Sequence, residues 1–129
     1  MKSQRDLNST NGGLRGGIKL EKYEIDGSVA VLVSRGFGAG WSTWNTDVFE
    51  QLAMDKRIVE YVLLDPHRER RESEVQEFLE SIGLSSVYCG GYEDLEIVMV
   101  EKGMYFEIIE YDGSETLNII TDMSEFTRA

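Results

Sequence analysis

Five consecutive apolar residues, Val29-Ala30-Val31-Leu32-Val33, constrain the fold of this chain more than any other feature. Side chains alternate along an extended backbone, so Val29, Val31 and Val33 share one face and Ala30 and Leu32 the other. A strand apolar on both faces must be covered on both, which predicts a central strand over 28–34. Asp26-Gly27 before it is a hairpin signal and predicts a partner strand over 18–25. Directly after it come three glycines at every second position, Gly36, Gly38 and Gly40, and then both tryptophans of the chain, Trp41 and Trp44. A central strand that runs into such a loop fixes one end of the domain.

The stretch 47–53 fits no single period. Asp55 has N-cap chemistry, and Ile58, Val59, Val62 and Leu63 recur at helical spacing. A short helix is predicted over 56–64, ended by Asp65-Pro66. A basic connector, His67-Arg68-Glu69-Arg70-Arg71, leads to Ser73, whose side chain suits the cap of a second helix. Val75, Phe78, Leu79 and Ile82 give that helix one buried face, and Gly83 suits its stop. A short strand is expected over 86–89 before Gly90-Gly91. Three alternating segments, 95–100, 104–110 and 115–120, are joined by turns at 101–103 and at Asp112-Gly113, which reads as an antiparallel meander. The fold class is α+β: a mostly antiparallel β-sheet with two helices packed on one face. Residues 1–17 are Gly- and Asn-rich and read as a flexible N-terminal arm, and 18–129 as a single α+β domain.

The 129 residues, 41% of them apolar, suffice for one core. No apolar run reaches the length of a membrane span, and residues 1–5 lack the apolar core of a secretory signal. One cysteine, Cys89, fits a reducing cytoplasm. The net charge of −11 is unevenly spread: residues 1–71 hold 11 Lys/Arg against 10 Asp/Glu, residues 72–129 hold 2 against 14. The acidic half repels phosphate backbones and anionic lipid, so direct nucleic-acid binding through it and membrane association are not expected. A solvated surface, a basic protein partner or mimicry of nucleic-acid charge remain.

The candidate ligand-binding set is Arg35, Gly36, Gly38, Gly40, Trp41, Ser42, Thr43, Trp44 and Asn45. Glycine-rich backbone can turn several N–H groups toward an anion, Arg35 at the mouth can pair with phosphate or carboxylate, and the tryptophans can stack on a planar group. The loop is not a phosphate-binding Walker loop, because no Gly-Lys-Ser/Thr follows, and its glycines do not match the dinucleotide fingerprint. The competing reading is a tight structural turn whose tryptophans, at least one of them, sit in the core. His67 reads as a solvated loop residue and Cys89 as a small buried hydrophobe. Three carboxylates in 110–115 read as an acidic hairpin turn; a divalent cation is the alternative. No catalytic residue, metal ligand or cofactor is assigned.

Three blocks, 33–45 (VSRGFGAGWSTWN), 90–96 (GGYEDLE) and 106–115 (FEIIEYDGSE), resemble a family of small, uncharacterised bacteriophage-encoded proteins. The arm at 1–17 and the connector at 67–71 depart from that family's shorter pattern. The resemblance implies a phage origin and the cytoplasm of an infected bacterium, and supplies no catalytic residues. The leading expectation is a non-enzymatic phage accessory protein that binds a small anionic ligand, nucleotide-derived for instance, or a host protein through the Gly/Trp loop at 35–45. The alternatives are an acidic nucleic-acid mimic directed at a basic host protein, a virion or assembly component, and a small hydrolase using carboxylates near Asp94 and Asp112. A homo-oligomer is compatible with each.

Overall fold

A computed structural model of the chain describes residues 20–121; the arm at 1–17 lies outside them. The order is β1 (Glu24–Ile25), β2 (Ser28–Ser34), α1 (Phe49–Met54), α2 (Lys56–Leu63), α3 (Glu72–Ser81), β3 (Leu95–Glu101), β4 (Tyr105–Tyr111) and β5 (Ser114–Ile120). The fold is α+β with antiparallel strands throughout, in two sheets, β1-β2-β3 and β4-β5.

β2 is the centre of the molecule, as its composition requires. Ala30 and Leu32 face a core built from Trp41, Leu52, Ile58, Val59, Val62, Val75 and Leu79, so α2 and α3 cover one side. Val29, Val31 and Val33 face Ala53, Met54 and Val100, with Phe106, Ile108 and Leu117 of the β4-β5 hairpin packed on them. The two faces are thus covered by different layers, α2 and α3 on one and the β4-β5 hairpin on the other, with α1 reaching both through Leu52 and through Ala53 and Met54. Each fully buried aliphatic side chain contributes about 1.5–3 kcal/mol, and all of 30–33 are completely buried.

Several expectations are corrected. The meander is broken: β3 pairs with β2 along its full length, from Ser28 opposite Glu101 to Ser34 opposite Leu95, and not with β4. A neighbour that completes the apolar central strand is worth more than a hairpin with β4. Gly103 at φ 93 then turns the chain into the other sheet. The first strand shortens to β1, preceded by an isolated bridge from Lys22 to Asp55. The ambiguous 47–53 stretch is helical, a 3₁₀ turn (Thr46–Val48) running into α1, so there are three helices rather than two. Residues 86–89 form no strand. Their backbone is instead held by one side chain: Tyr88 donates its N–H to Asn45 Oδ1 at 2.8 Å, and Asn45 Nδ2 donates to Tyr88 C=O at 2.8 Å.

The helix ends agree better. Asp55 caps α2, accepting Arg57 N–H at 2.8 Å and pairing with the Arg57 guanidinium at 2.8 Å while itself only 4% exposed. Asp55→Ala should therefore cost about 1–2 kcal/mol, read as a lower urea midpoint. Gly83 stops α3 at φ 93. Ser73 does not cap α3: the helix begins at Glu72, and the Glu74 carboxylate accepts Arg71 N–H at 2.8 Å.

Candidate functional site

The three sequence blocks, far apart in the chain, meet at one end of β2. Gly38 N–H donates to Asp112 C=O at 2.7 Å, and Ser114 Oγ to Arg35 C=O at 2.9 Å, which docks the β4-β5 turn on the loop. Arg35 N–H reaches Asp94 C=O at 3.1 Å, and Ser34 Oγ donates to Gly91 C=O at 2.8 Å, which docks the 90–94 turn. The glycines permit this closeness. A Cβ on Gly91 would stand 2.7 Å from Gly40 O, and one on Gly113 2.3 Å from Ala39 N.

At the centre lies a carboxylate, Glu115 of β5, fully buried. Its Oε1 accepts Ser34 N–H at 2.9 Å. Its Oε2 accepts Trp41 N–H at 2.7 Å, Thr43 N–H at 3.1 Å and Thr43 Oγ1–H at 2.5 Å. Backbone N–H groups of Ser34, Trp41 and Thr43, and none from the glycines of the loop, thus cradle an anion that is the protein's own. Four donors aimed at one carboxylate offset the desolvation of its charge, and no Lys or Arg among the described residues shares the task. In the sequence Glu115 reads as part of an acidic turn; its position directly after Asp-Gly-Ser, on the inward phase of β5, is the signal that sets it apart.

Glu110 stands opposite Glu115 in the ladder. It accepts Gly113 N–H at 2.7 Å and Trp44 Nε1–H at 3.2 Å, and these bonds, Gly113 first, hold its carboxyl below the usual range. The carboxylates of 110–115 thus separate into different roles instead of converging on a cation.

The remaining site residues divide between core and surface. Trp41 is fully buried and donates Nε1–H to Leu52 C=O at 2.8 Å, which meets the expectation that at least one tryptophan is core. Ser42 is buried with its Oγ unpartnered among the described residues. Asn45 Nδ2 also donates to Trp41 C=O at 2.8 Å. Trp44 is 41% exposed and lies 5.2 Å from the Tyr88 ring, itself 44% exposed. Phe37 and Tyr111, each next to a partner of the Gly38–Asp112 bond, are 72% and 77% exposed. Arg35 is half-exposed and paired with Glu96 at 3.1 Å.

The basic connector is bound into the fold. Arg68 donates to the carbonyls of Asp65 at 2.8 Å and Leu95 at 3.1 Å. Arg70 lies 3.7 Å over the Tyr61 ring, which stacks on Phe78 at 3.8 Å. His67 is exposed, and Cys89 is buried, its thiol pushed up by burial. Tyr92 OH donates to Asp65 Oδ2 at 2.8 Å. Burial first, then that bond, push the phenol up to about 12, and the N–H of Glu69 leads the bonds that hold Asp65 low. A raised folded pKa means that Tyr92 stabilises fully below its ordinary value of 10.0 and loses this as pH climbs to about 12. Asp65 is the mirror image: its contribution is present above its ordinary value of 3.8 and lost as pH falls through the lower folded value. Urea midpoints against pH should show Tyr92→Phe removing part of the alkaline fall and Asp65→Asn part of the acid fall.

Among the described residues no group of three or more His, Cys, Asp and Glu side chains is placed to hold a metal, and no helix is long and apolar enough to cross a membrane. Compared with known protein families, curated proteins and solved structures, the chain matches none.

Proposed function

We propose that this chain is a non-enzymatic bacteriophage accessory protein that binds a protein of the infected bacterium through the aromatic surface around the 35–45 loop. The observation that carries this reading is the occupied cradle. Glu115 takes the N–H groups of Ser34, Trp41 and Thr43, so those donors are not open to a small anion and the second half of the loop is braced from inside. What this end of the fold presents outward is Phe37, Trp44 and Tyr88, with Tyr111 beside them. Exposed aromatics on a pre-organised support are the residues that dominate protein interfaces, and Trp44 is held in place by Glu110 and Tyr88. The resemblance of the three blocks to phage proteins supports the setting.

The test is affinity capture from infected cells with the full chain and with Phe37→Ala/Trp44→Ala. Both side chains are exposed, so circular dichroism should be unchanged, while a specific partner retained by the parent should weaken by about 30-fold or more. Equal retention by both proteins would remove the aromatic surface from the reading.

A further inference from the structure

β3 is the outer strand of its sheet, and its far edge pairs with no strand among the described residues. The bonds Arg35 N–H to Asp94 C=O and Lys102 N–H to Gly27 C=O set the phase of the β2-β3 ladder. Glu96, Val98 and Val100 therefore direct their backbone groups at β2, and Ile97 and Met99 direct theirs away. The edge is closed at both ends: Arg68 Nε donates to Leu95 C=O, and Met104 N–H to Glu101 C=O. Between these points the N–H and C=O of Ile97 and Met99 have no partner among the described residues.

An open groove of about 580 Å³ lies beside the Leu95 end of this edge, lined among others by Gly36, His67, Glu93, Asp94 and Ile97. Its cations are committed, Arg35 to Glu96 and Arg68 to backbone carbonyls. Glu93 and Asp94 are exposed and have no cation partner among the described residues. The Asp94 carboxylate lies over Gly36, its Oδ2 2.0 Å from where a Cβ on that residue would stand.

We propose that this edge receives an extended, basic peptide segment of a partner protein as an added strand, with a Lys or Arg of the segment held by Glu93 and Asp94. Strand addition supplies main-chain hydrogen bonds, and the groove supplies the charge preference. A second copy fits poorly, because it would line up Glu93, Asp94, Glu96 and Glu101 of both chains along one seam.

The experiment uses the ¹⁵N-labelled full chain and three ten-residue probes: alternating Lys-Val, the same peptide N-methylated at alternate amides, and alternating Glu-Val. The Lys-Val peptide should bind saturably and slow amide exchange at Ile97 and Met99 by about tenfold. N-methylation should weaken binding by about tenfold or more, and Glu93→Gln/Asp94→Asn by about fivefold. The Glu-Val peptide should not bind, and Trp44→Ala should leave Lys-Val binding unchanged, which separates this surface from the aromatic one. The proposal is overturned by absence of protection at Ile97 and Met99 at millimolar Lys-Val peptide, by equal binding of the N-methylated peptide, or by concentration-dependent protection without peptide, which would mean that a second copy occupies the edge.

Discussion

Glu115→Gln should lower the unfolding free energy by about 2–4 kcal/mol, and Glu115→Ala by about 3–5 kcal/mol, seen as urea midpoints shifted at an unchanged m value. The effect is large because the carboxylate satisfies four donors at once, three of them backbone N–H groups of residues 34, 41 and 43. Glutamine keeps the volume but has one oxygen. With that oxygen at the three-donor position, its NH₂ must face Ser34 N–H, and two donors then oppose each other in a fully buried site. Alanine leaves all four donors unpaired. Acetate added to Glu115→Ala should recover part of the loss by refilling the cradle, with saturation. Unchanged midpoints in both variants would mean that the loop keeps its shape without the carboxylate, and its donors would again be open to an external anion.

That result bears on how much of the molecule can be read from its residues. Local periodicity was enough for β2, α2 and α3, and for the turns at Asp26-Gly27 and Asp112-Gly113, where all four residues adopt positive φ. It was also enough to mark 36–45 as a loop shaped by glycine. What it lacked were decisions made between distant segments. The partner of β3 is set by the need of β2 for a neighbour, which no pattern within 95–120 contains. Val87 and Cys89 are buried like strand residues, yet the Asn45 side chain takes the place of a strand. The identity of the loop's anion depends on a hairpin some seventy residues away folding over it. Tertiary hydrogen bonds chose the occupant, and the sequence displayed only the receptor.

A pair of glycines tests whether that convergence, or simply backbone conformation, accounts for the glycines of this end of the fold. Gly103 and Gly113 have nearly the same φ, 93 and 90. Around Gly103 nothing lies within 4 Å of an added Cβ, whereas at Gly113 the Cβ would meet Ala39 N at 2.3 Å and Gly38 backbone at 2.8 Å. Gly103→Ala should thus cost only the left-handed strain, about 1–2 kcal/mol. Gly113→Ala adds a backbone collision that no rotamer relieves, so about 3 kcal/mol or more is expected. The hairpin turn must then withdraw from the loop and take Glu115 with it. Amide exchange at residues 34, 41 and 43 should accelerate in Gly113→Ala and remain slow in Gly103→Ala, since those three N–H groups are the ones the carboxylate holds. Equal costs for the two variants, with the loop amides still protected in both, would mean that the loop and the hairpin turn can separate without releasing Glu115, and that the cradle is held by β5 alone.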